Sequence, residues 1–299
     1  MDDSPVSMGP CTPGEPRSLL AALRRAQRQL AIAGSSTPRL DAEVLLRHVL
    51  GLDRTRLVVH LHDVLPPVDF DRYQALVGRR GAGEPVAYLT GQREFMGLPF
   101  AVRPGVLIPR PETEILVEWA LTWLRDTTDA TVLDAGTGSG AIALSLASHL
   151  PVTWRGRILA SDISAAALSV ARENRSRLGL VGRVDLIRGD LGSWCAGPLD
   201  LLLANLPYLR PDQLTSNREL AAEPPIALVG GADGLDPLRR LLTDTPRLLA
   251  PRGAIAVEID PSQAATARDL VGSTLAHGTV TVHDDLAGLP RVVTGDLAV

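Results

Sequence analysis

A loop of small residues, Asp134-Ala135-Gly136-Thr137-Gly138-Ser139-Gly140, is followed about seventy residues later by Asn205-Leu206-Pro207-Tyr208. Glycines at 136, 138 and 140 let a backbone turn sharply from strand into helix and approach a ligand closely. The tetrapeptide indicates what is done beside that ligand. Pro207 pushes Leu206 into an extended conformation and has no N–H of its own to donate. The Leu206 carbonyl and the Asn205 side-chain oxygen can then both accept from one –NH2 group, while Tyr208 offers a flat face for a planar amide or base. An amide nitrogen is a poor nucleophile because its lone pair is delocalised. Two acceptors on its protons return electron density and aim it at an electrophile. Holding both reactants in line removes several kcal/mol of entropic barrier, roughly 7–11 in ideal cases. The chemistry implied is S-adenosylmethionine-dependent methylation of a planar nitrogen, without a metal.

The glycine loop by itself leaves a rival open. Gly136-x-Gly138-x-x-Ala141 also satisfies the dinucleotide fingerprint, with Asp162 about 20 residues on as the ribose-binding acid. Two acids favour the methyl donor. Asp134, just ahead of the loop, can face the ammonium of an amino-acid moiety and would repel a pyrophosphate. Asp190, in Gly189-Asp190-Leu191, can accept from an adenine amino group. A nicotinamide-dependent oxidoreductase gives Asn205 to Tyr208 no role. An adenine amino-group methyltransferase does use them; it would want a basic face around the site, and Arg103, Arg110 and Arg210 keep that reading open. A non-catalytic, cofactor-binding scaffold with a docking domain is the reading outside enzymes.

The elements that must position these residues follow from periodicity. From Thr131 onward, short apolar runs at Thr131–Leu133, 157–161, 184–188, 199–204, 254–259 and 280–283 alternate with helical stretches, and 291–294 reads as a last edge strand. Alternation of this kind implies a mostly parallel sheet covered by helices on both faces, with ligands at the carboxyl ends of its strands. Before it, Pro109-Arg110-Pro111-Glu112-Thr113-Glu114 leads into a helix carrying Ile115, Leu116, Trp119 and Trp123. Residues 86–108 read as short β-like runs broken by glycine and proline, a hairpin connector after a hinge at 81–85. Residues 18–80 are helical, with Leu19, Leu20, Leu23, Ala26 and Leu30 on one stripe and Leu40, Val44, Leu45 and Val49 on the next. A third helix carries Phe70, Tyr73, Leu76 and Val77. The Pro-, Ser- and Gly-rich stretch 1–16 is expected to be disordered.

Composition sets outer limits. The chain has 299 residues, a net charge of −4 and 30 basic residues, all arginine, which reads as codon bias rather than a binding device. That charge marks no strong nucleic-acid or membrane binder. Cys11 and Cys195 make no disulfide framework, and the His60/His62 pair lacks a third ligand. With no secretory leader pattern and no apolar run of about 18 residues, a cytoplasmic, monomeric protein is expected.

Several segments together resemble the release-factor glutamine methyltransferases, the PrmC/HemK family. They are 85–91 (Pro-Val-Ala-Tyr-Leu-Thr-Gly), 94–100 (Glu-Phe-Met-Gly-Leu-Pro-Phe), 106–114, Glu223-Pro224-Pro225-Ile226-Ala227-Leu228, 230–235 and Leu40 to Leu46, besides the tetrapeptide. The resemblance spans roughly residues 18–295. It implies a class I methyltransferase domain, a Rossmann-like seven-stranded mostly parallel sheet, behind a small N-terminal helical bundle. The organisation implied is a helical substrate-recognition domain at 17–84, a hairpin connector at 85–110 and the methyltransferase domain at 111–299. The substrate implied is the glutamine of the Gly-Gly-Gln loop in bacterial peptide-chain release factors, with S-adenosylhomocysteine as by-product. Carried over by position, Asp134, Gly136, Thr137, Gly138, Ser139, Gly140 and Asp162 hold the cofactor's amino-acid and ribose parts, and Asp190 and Leu191 flank the adenine. Asn205, Leu206, Pro207 and Tyr208 hold the glutamine, Asn205 and Tyr208 being the catalytic pair and Asn205 also bordering the cofactor. Leu206 departs from the family's usual proline; its carbonyl is kept, in a less rigid loop. Asn-Leu-Pro-Tyr is also typical of rRNA adenine dimethyltransferases, so that alternative stays beside the first.

Overall fold

The computed structural model describes residues 18–215, 219–275 and 278–297; the expected disordered start, and Cys11 with it, lies outside them. The chain forms two compact units, one ending at Thr90 and the other starting at Gly91.

The first unit is helical: α1 (Leu19–Ile32), α2 (Pro38–Leu50), α3 (Arg54–Val59), α4 (Pro67–Gly81) and α5 (Val86–Thr90). Ser18 caps α1, its side chain accepting from the Ala21 N–H, and Gly51 ends α2 at φ 64°, a left-handed turn that a side chain would resist. The core joins Leu19, Ala22, Ala26 and Leu30 of α1 to Ala42, Leu45 and Leu46 of α2 and to Tyr73 and Val77 of α4. Two sequence expectations are corrected here. In α2 the buried stripe runs through Asp41, Ala42, Leu45 and Leu46, leaving Leu40 exposed. The helix is turned by polar ties that periodicity does not count: Tyr73 Oη donates to the Ala42 carbonyl (2.9 Å), and the Arg80 guanidinium pairs with Asp41 (2.7 Å). Residues 86–90 are helical rather than β-like, and Leu89 packs into this same core.

In the second unit, β1 (Gln92–Phe95) and β2 (Leu98–Ala101) form a hairpin turning through Met96 and Gly97, both at positive φ. The turn suits its residues because the Met96 N–H donates to Glu114 (2.8 Å) and the Gly97 N–H to Glu94 (3.0 Å). A seven-stranded sheet follows: β3 (Thr131–Ala135), β4 (Arg157–Asp162), β5 (Val184–Arg188), β6 (Leu199–Ala204), β7 (Leu249–Glu258), β8 (Thr279–Asp284) and β9 (Pro290–Asp296). Its order is β5-β4-β3-β6-β7-β9-β8, parallel except for β9, which runs antiparallel to both neighbours. The last strand is therefore inserted between β7 and β8 instead of forming an edge. Val292 and Val293 are fully buried there, as an interior strand requires.

Helices α6 (Glu114–Trp123) and α7 (Ala141–His149) contribute to the core on one face. Helices α10 (Asp236–Leu248) and α11 (Ala264–Thr274) cover the other. Two more complete the unit, α8 (Ala165–Arg177) and the short α9 (Pro211–Thr215). The chain leaves β3 toward β4 and β5, then returns to place β6 on β3's other side. Such a reversal opens a crevice at the carboxyl ends of β3 and β6. Ala135 is paired with Ala204, so the glycine loop and Asn205 emerge side by side.

Candidate active site

A cavity of about 310 Å³ occupies that crevice, within the size range of small-molecule sites. One wall is Gly136 to Ser139 with Ala141 and Ile142; a second is Asp162, Ile163 and Ser164 with Gly189, Asp190 and Leu191. Asn205, Leu206 and Pro207 form the third, faced by Arg110 and Thr113 and by Pro224, Ile226 and Ala227. Of the residues expected at the site, these lining ones are brought together from four strand ends. Gly140 lies just behind the wall as the left-handed cap of α7, at φ 85°.

The glycine loop is shaped for close approach. Gly136 (φ 80°) and Gly138 (φ 57°) are both left-handed, and a Cβ on Gly138 would meet no protein atom within 4 Å. A Cβ on Gly136 would stand 3.2 Å from Leu206 Cδ2, so Leu206, the residue in the variable place of the tetrapeptide, packs directly against the loop. Asp162 accepts from the Gly138 N–H (2.9 Å) and the Ser164 N–H (2.7 Å). A carboxylate offers about four acceptor positions, so two remain for ligand hydroxyls. Burial raises its pKa, which those N–H groups oppose. Leu191 adopts a left-handed φ of 50°, held by donors on its carbonyl from Ser161 Oγ (3.1 Å) and Trp194 Nε1 (2.9 Å). Asp190 pairs with Arg240 at the cavity's edge.

Two expected residues stand elsewhere. Asp134 is fully buried beneath the loop and does not line the cavity. Its Oδ2 accepts from Thr137 Oγ1 (2.6 Å) and the Ala143 N–H (3.2 Å), so it ties the loop to α7; Oδ1 is buried without a partner. Burial pushes its pKa up to about 7 against the opposing hydrogen bonds. Tyr208 turns away from the cavity. Its hydroxyl donates to Glu258 Oε1 (3.1 Å), and its carbonyl accepts from Gln263 Nε2 (2.9 Å), drawing the ring to the far side of Pro207. Burial raises the phenol's pKa, and the adjacent Glu258 carboxylate adds to the shift.

Asn205 shows why the tetrapeptide is built as it is. Its Nδ2 donates to Thr113 Oγ1 (3.0 Å), which turns Oδ1 away from that contact. Neither Asn205 Oδ1 nor the Leu206 carbonyl takes a hydrogen bond from the described residues. The cavity wall thus carries two uncommitted acceptors on adjacent residues.

Four further residues hold this geometry. Thr113 and Glu223 sit in the segments that carried the resemblance. Glu223 accepts from the Ile108 N–H (2.9 Å) and pairs with Arg110, joining the 108–113 segment to the Pro224–Ala227 wall. Glu258 ends the apolar run of β7, and a charged residue at that point was its signal. Asn174, fully buried in α8, donates to the Ser139 (2.9 Å) and Ala101 (3.0 Å) carbonyls and accepts from the Ala101 N–H (2.7 Å). Nothing in the sequence marks it.

These residues fit S-adenosylmethionine. The loop has room at Gly138, acids line one side, and both arginines at the cavity, Arg110 and Arg240, are already paired with carboxylates. A pyrophosphate would find its natural place at the α7 N-terminus overlooked by Asp162, with no unpaired arginine among the described residues lining the cavity to offset it.

The chain matches known proteins over most of its length. A family described as the PrmC N-terminal domain matches residues 21–91, and a methyltransferase domain family matches 132–221. The chain is 46% identical to a release factor glutamine methyltransferase of Moorella thermoacetica, over 92% of this chain and 96% of that one. Against proteins of the same name from Bordetella pertussis and Deinococcus radiodurans the identities are 43% (89% and 97% covered) and 38% (91% and 95% covered). Among solved structures, the hMettl16 catalytic domain in complex with an RNA hairpin aligns with a TM-score of 0.56 at 16% identity, over 72% of this chain and 81% of that one. A methyltransferase of Pyrococcus furiosus aligns at 0.50 and 17% identity, over 76% and 98%. These structural matches show the fold, that of class I methyltransferases.

Proposed function

The chain belongs to the release factor glutamine methyltransferase family, and on that footing we propose that it methylates the side-chain amide nitrogen of the glutamine in the Gly-Gly-Gln loop of bacterial peptide-chain release factors. The methyl donor is S-adenosylmethionine, which leaves as S-adenosylhomocysteine, while the amide nitrogen gives up one of its two protons to solvent as it gains the methyl group. The observation that carries the reading is the pair of free acceptors, Asn205 Oδ1 and the Leu206 carbonyl, on the wall of the cavity that the glycine loop closes. A primary amide presents two N–H donors on one nitrogen, and two adjacent acceptors match it.

Bound cofactor supplies a sulfonium methyl as the electrophile. Gly136 to Ser139 and Asp162 would hold its amino-acid and ribose parts, and Asp190 and Leu191 would border its adenine. Asn205 Oδ1 and the Leu206 carbonyl would hold the substrate nitrogen through its two protons, orienting it for attack. Pro207 and Tyr208 fix the loop: the first removes a competing N–H, the second anchors it to Glu258 and Gln263. Asp134 supports the glycine loop from below.

The helical unit recognises the release factor, whose target glutamine belongs to a large folded partner. The enzyme works as a monomer in the cytoplasm; among the described residues no helix is long and apolar enough to cross a membrane. Adenine in nucleic acid is disfavoured as substrate because the arginines that would bind it are neutralised. Arg103 pairs with Glu173, Arg110 with Glu223 and Arg210 with Asp212.

The test is transfer of labelled methyl from S-adenosylmethionine to a bacterial release factor, beside its Gln-to-Ala loop variant and an rRNA control. Label only on the wild-type factor, mapped to the Gly-Gly-Gln glutamine, is expected. Label on the RNA would overturn the assignment.

A further inference from the structure

We propose that Leu206 is a positioning residue through its side chain, the spacer that fixes how far the amide-holding acceptors stand from the glycine loop and so from the methyl donor. The inference rests on the proposed amide substrate and deepens it. Methyl transfer needs the reacting atoms about 3–3.5 Å apart and in line, and a misplacement of about 1 Å costs about a hundredfold in rate. The donor is held by one strand-end loop and the substrate nitrogen by another. Some contact between the two loops must therefore set that distance.

Leu206 makes that contact. Its carbonyl is one of the two free acceptors, while its side chain lies against the glycine loop. A Cβ on Gly136 would stand 3.2 Å from Leu206 Cδ2 and 3.9 Å from the Asn205 carbonyl oxygen, so glycine suits position 136 for its neighbour as well as for its φ of 80°. Both sides of the contact are held. The N–H groups of Gly136 and Thr137 donate to the Ser161 carbonyl in β4 (2.9 and 2.8 Å), which pins the loop. Leu206 is buried in the same core as Leu235, Leu238 and Ile259. The space it shares with these three is about 10 Å³, no more than one water needs, so the side chain has nowhere to withdraw. Among the described residues neither the N–H nor the carbonyl of Leu206 is hydrogen-bonded, so packing of the isobutyl group locates this peptide.

The test combines a size series at 206 with a size swap across the contact. It measures methylation of intact release factor at saturating S-adenosylmethionine, cofactor binding by calorimetry, and thermal stability. Leu206→Ala keeps the acceptor carbonyl and removes the spacer; kcat is expected to fall about ten- to hundredfold, with cofactor affinity within about threefold of wild type. Leu206→Val should lose less, and Leu206→Met, which keeps the reach, least of all. Should the alanine variant fold poorly, the valine and methionine variants carry the same order. Gly136→Ala should lower both kcat and cofactor affinity, through its left-handed φ and the 3.2 Å approach. In the double variant the added methyl enters the vacated space. The combined losses in kcat and in cofactor affinity should then be smaller than the product of the single ones by about threefold or more.

A Leu206→Ala kcat within about twofold of wild type would overturn the proposal, as would a methionine variant no better than the valine one. Losses that simply multiply in the double variant would overturn it too, because independent effects multiply and a shared contact does not. A merely structural leucine would lower the melting temperature in the series without producing that compensation. Failure of the wild-type protein to methylate release factor would instead sink the proposed function. The cycle in cofactor affinity is read without release factor and still decides whether Leu206 and Gly136 are coupled, so the two failures are distinguishable.

Discussion

Asn174→Ala is the sharpest test of how the methyltransferase unit holds its cofactor loop. The side chain is fully buried and makes three hydrogen bonds, to the Ala101 N–H, the Ala101 carbonyl and the Ser139 carbonyl, at 2.7, 3.0 and 2.9 Å. It thus bolts the glycine loop to strand β2 through helix α8. Truncation strands three buried backbone groups, each costing about 1–3 kcal/mol when left unpaired. Water entering the vacated space recovers part of that sum, so the net loss expected is about 3–5 kcal/mol, a large share of a typical domain's 5–15. For a unit of this size, 1 kcal/mol moves the melting temperature by about 2–4 °C, giving a fall of about 6–20 °C. Ser139 would be released with it, so affinity for S-adenosylmethionine should drop as well. Differential scanning calorimetry and isothermal titration measure the two effects. Asn174→Asp should be worse than Asn174→Ala near neutral pH, because it sets an acceptor-only charge against two carbonyls. A melting temperature within 1 °C of wild type and an unchanged Kd would refute the argument.

Three further outcomes are expected. Asp134 titrates at about 7 in the fold against an ordinary 3.8, so the native state holds a proton that the unfolded chain lacks between those values. Its contribution to stability is full below that window and lost as pH rises through about 7; urea denaturation from pH 5 to 8 should show a falling stability whose slope shrinks in Asp134→Asn, and an unchanged slope would contradict it. Gly140→Ala places a Cβ 2.7 Å from Leu144 Cδ1 at a φ of 85°. Added to a left-handed penalty of about 1–2 kcal/mol, this should weaken cofactor binding about tenfold by calorimetry. Arg80→Leu leaves Asp41 buried with its charge uncompensated, costing about 3–5 kcal/mol. Hydrogen exchange should show protection lost in α1, α2 and α4, while β3 and α7 keep theirs.

The parallel sheet was legible because buried strands must be apolar and must alternate with helices, and runs such as Leu199 to Ala204 allow no other placement. The glycine loop and the tetrapeptide were legible for a related reason. Their backbone needs, left-handed turns at Gly136, Gly138 and Gly140 and a missing donor at Pro207, leave few residue types able to serve. Strand order was less so: β9 lies between β7 and β8, and an apolar run carries no statement of its neighbours. In α2 periodicity pointed to Leu40, while a tyrosine hydroxyl and an ion pair from α4 chose Ala42 and Leu46.

The sequence by itself determined the chemistry offered, an amide, a backbone carbonyl and a glycine turn at adjoining strand ends, because local backbone rules bind residue type to conformation. Only the tertiary structure decided direction: that Asp134 braces the loop from beneath, that Tyr208 faces Glu258, and that Asn205 turns its oxygen outward from Thr113. Those outcomes depend on partners 50 to 92 residues away, or on which side of a strand end is already filled. Hydrogen-bond polarity is a property of such assembled neighbours and leaves no periodic trace along the chain.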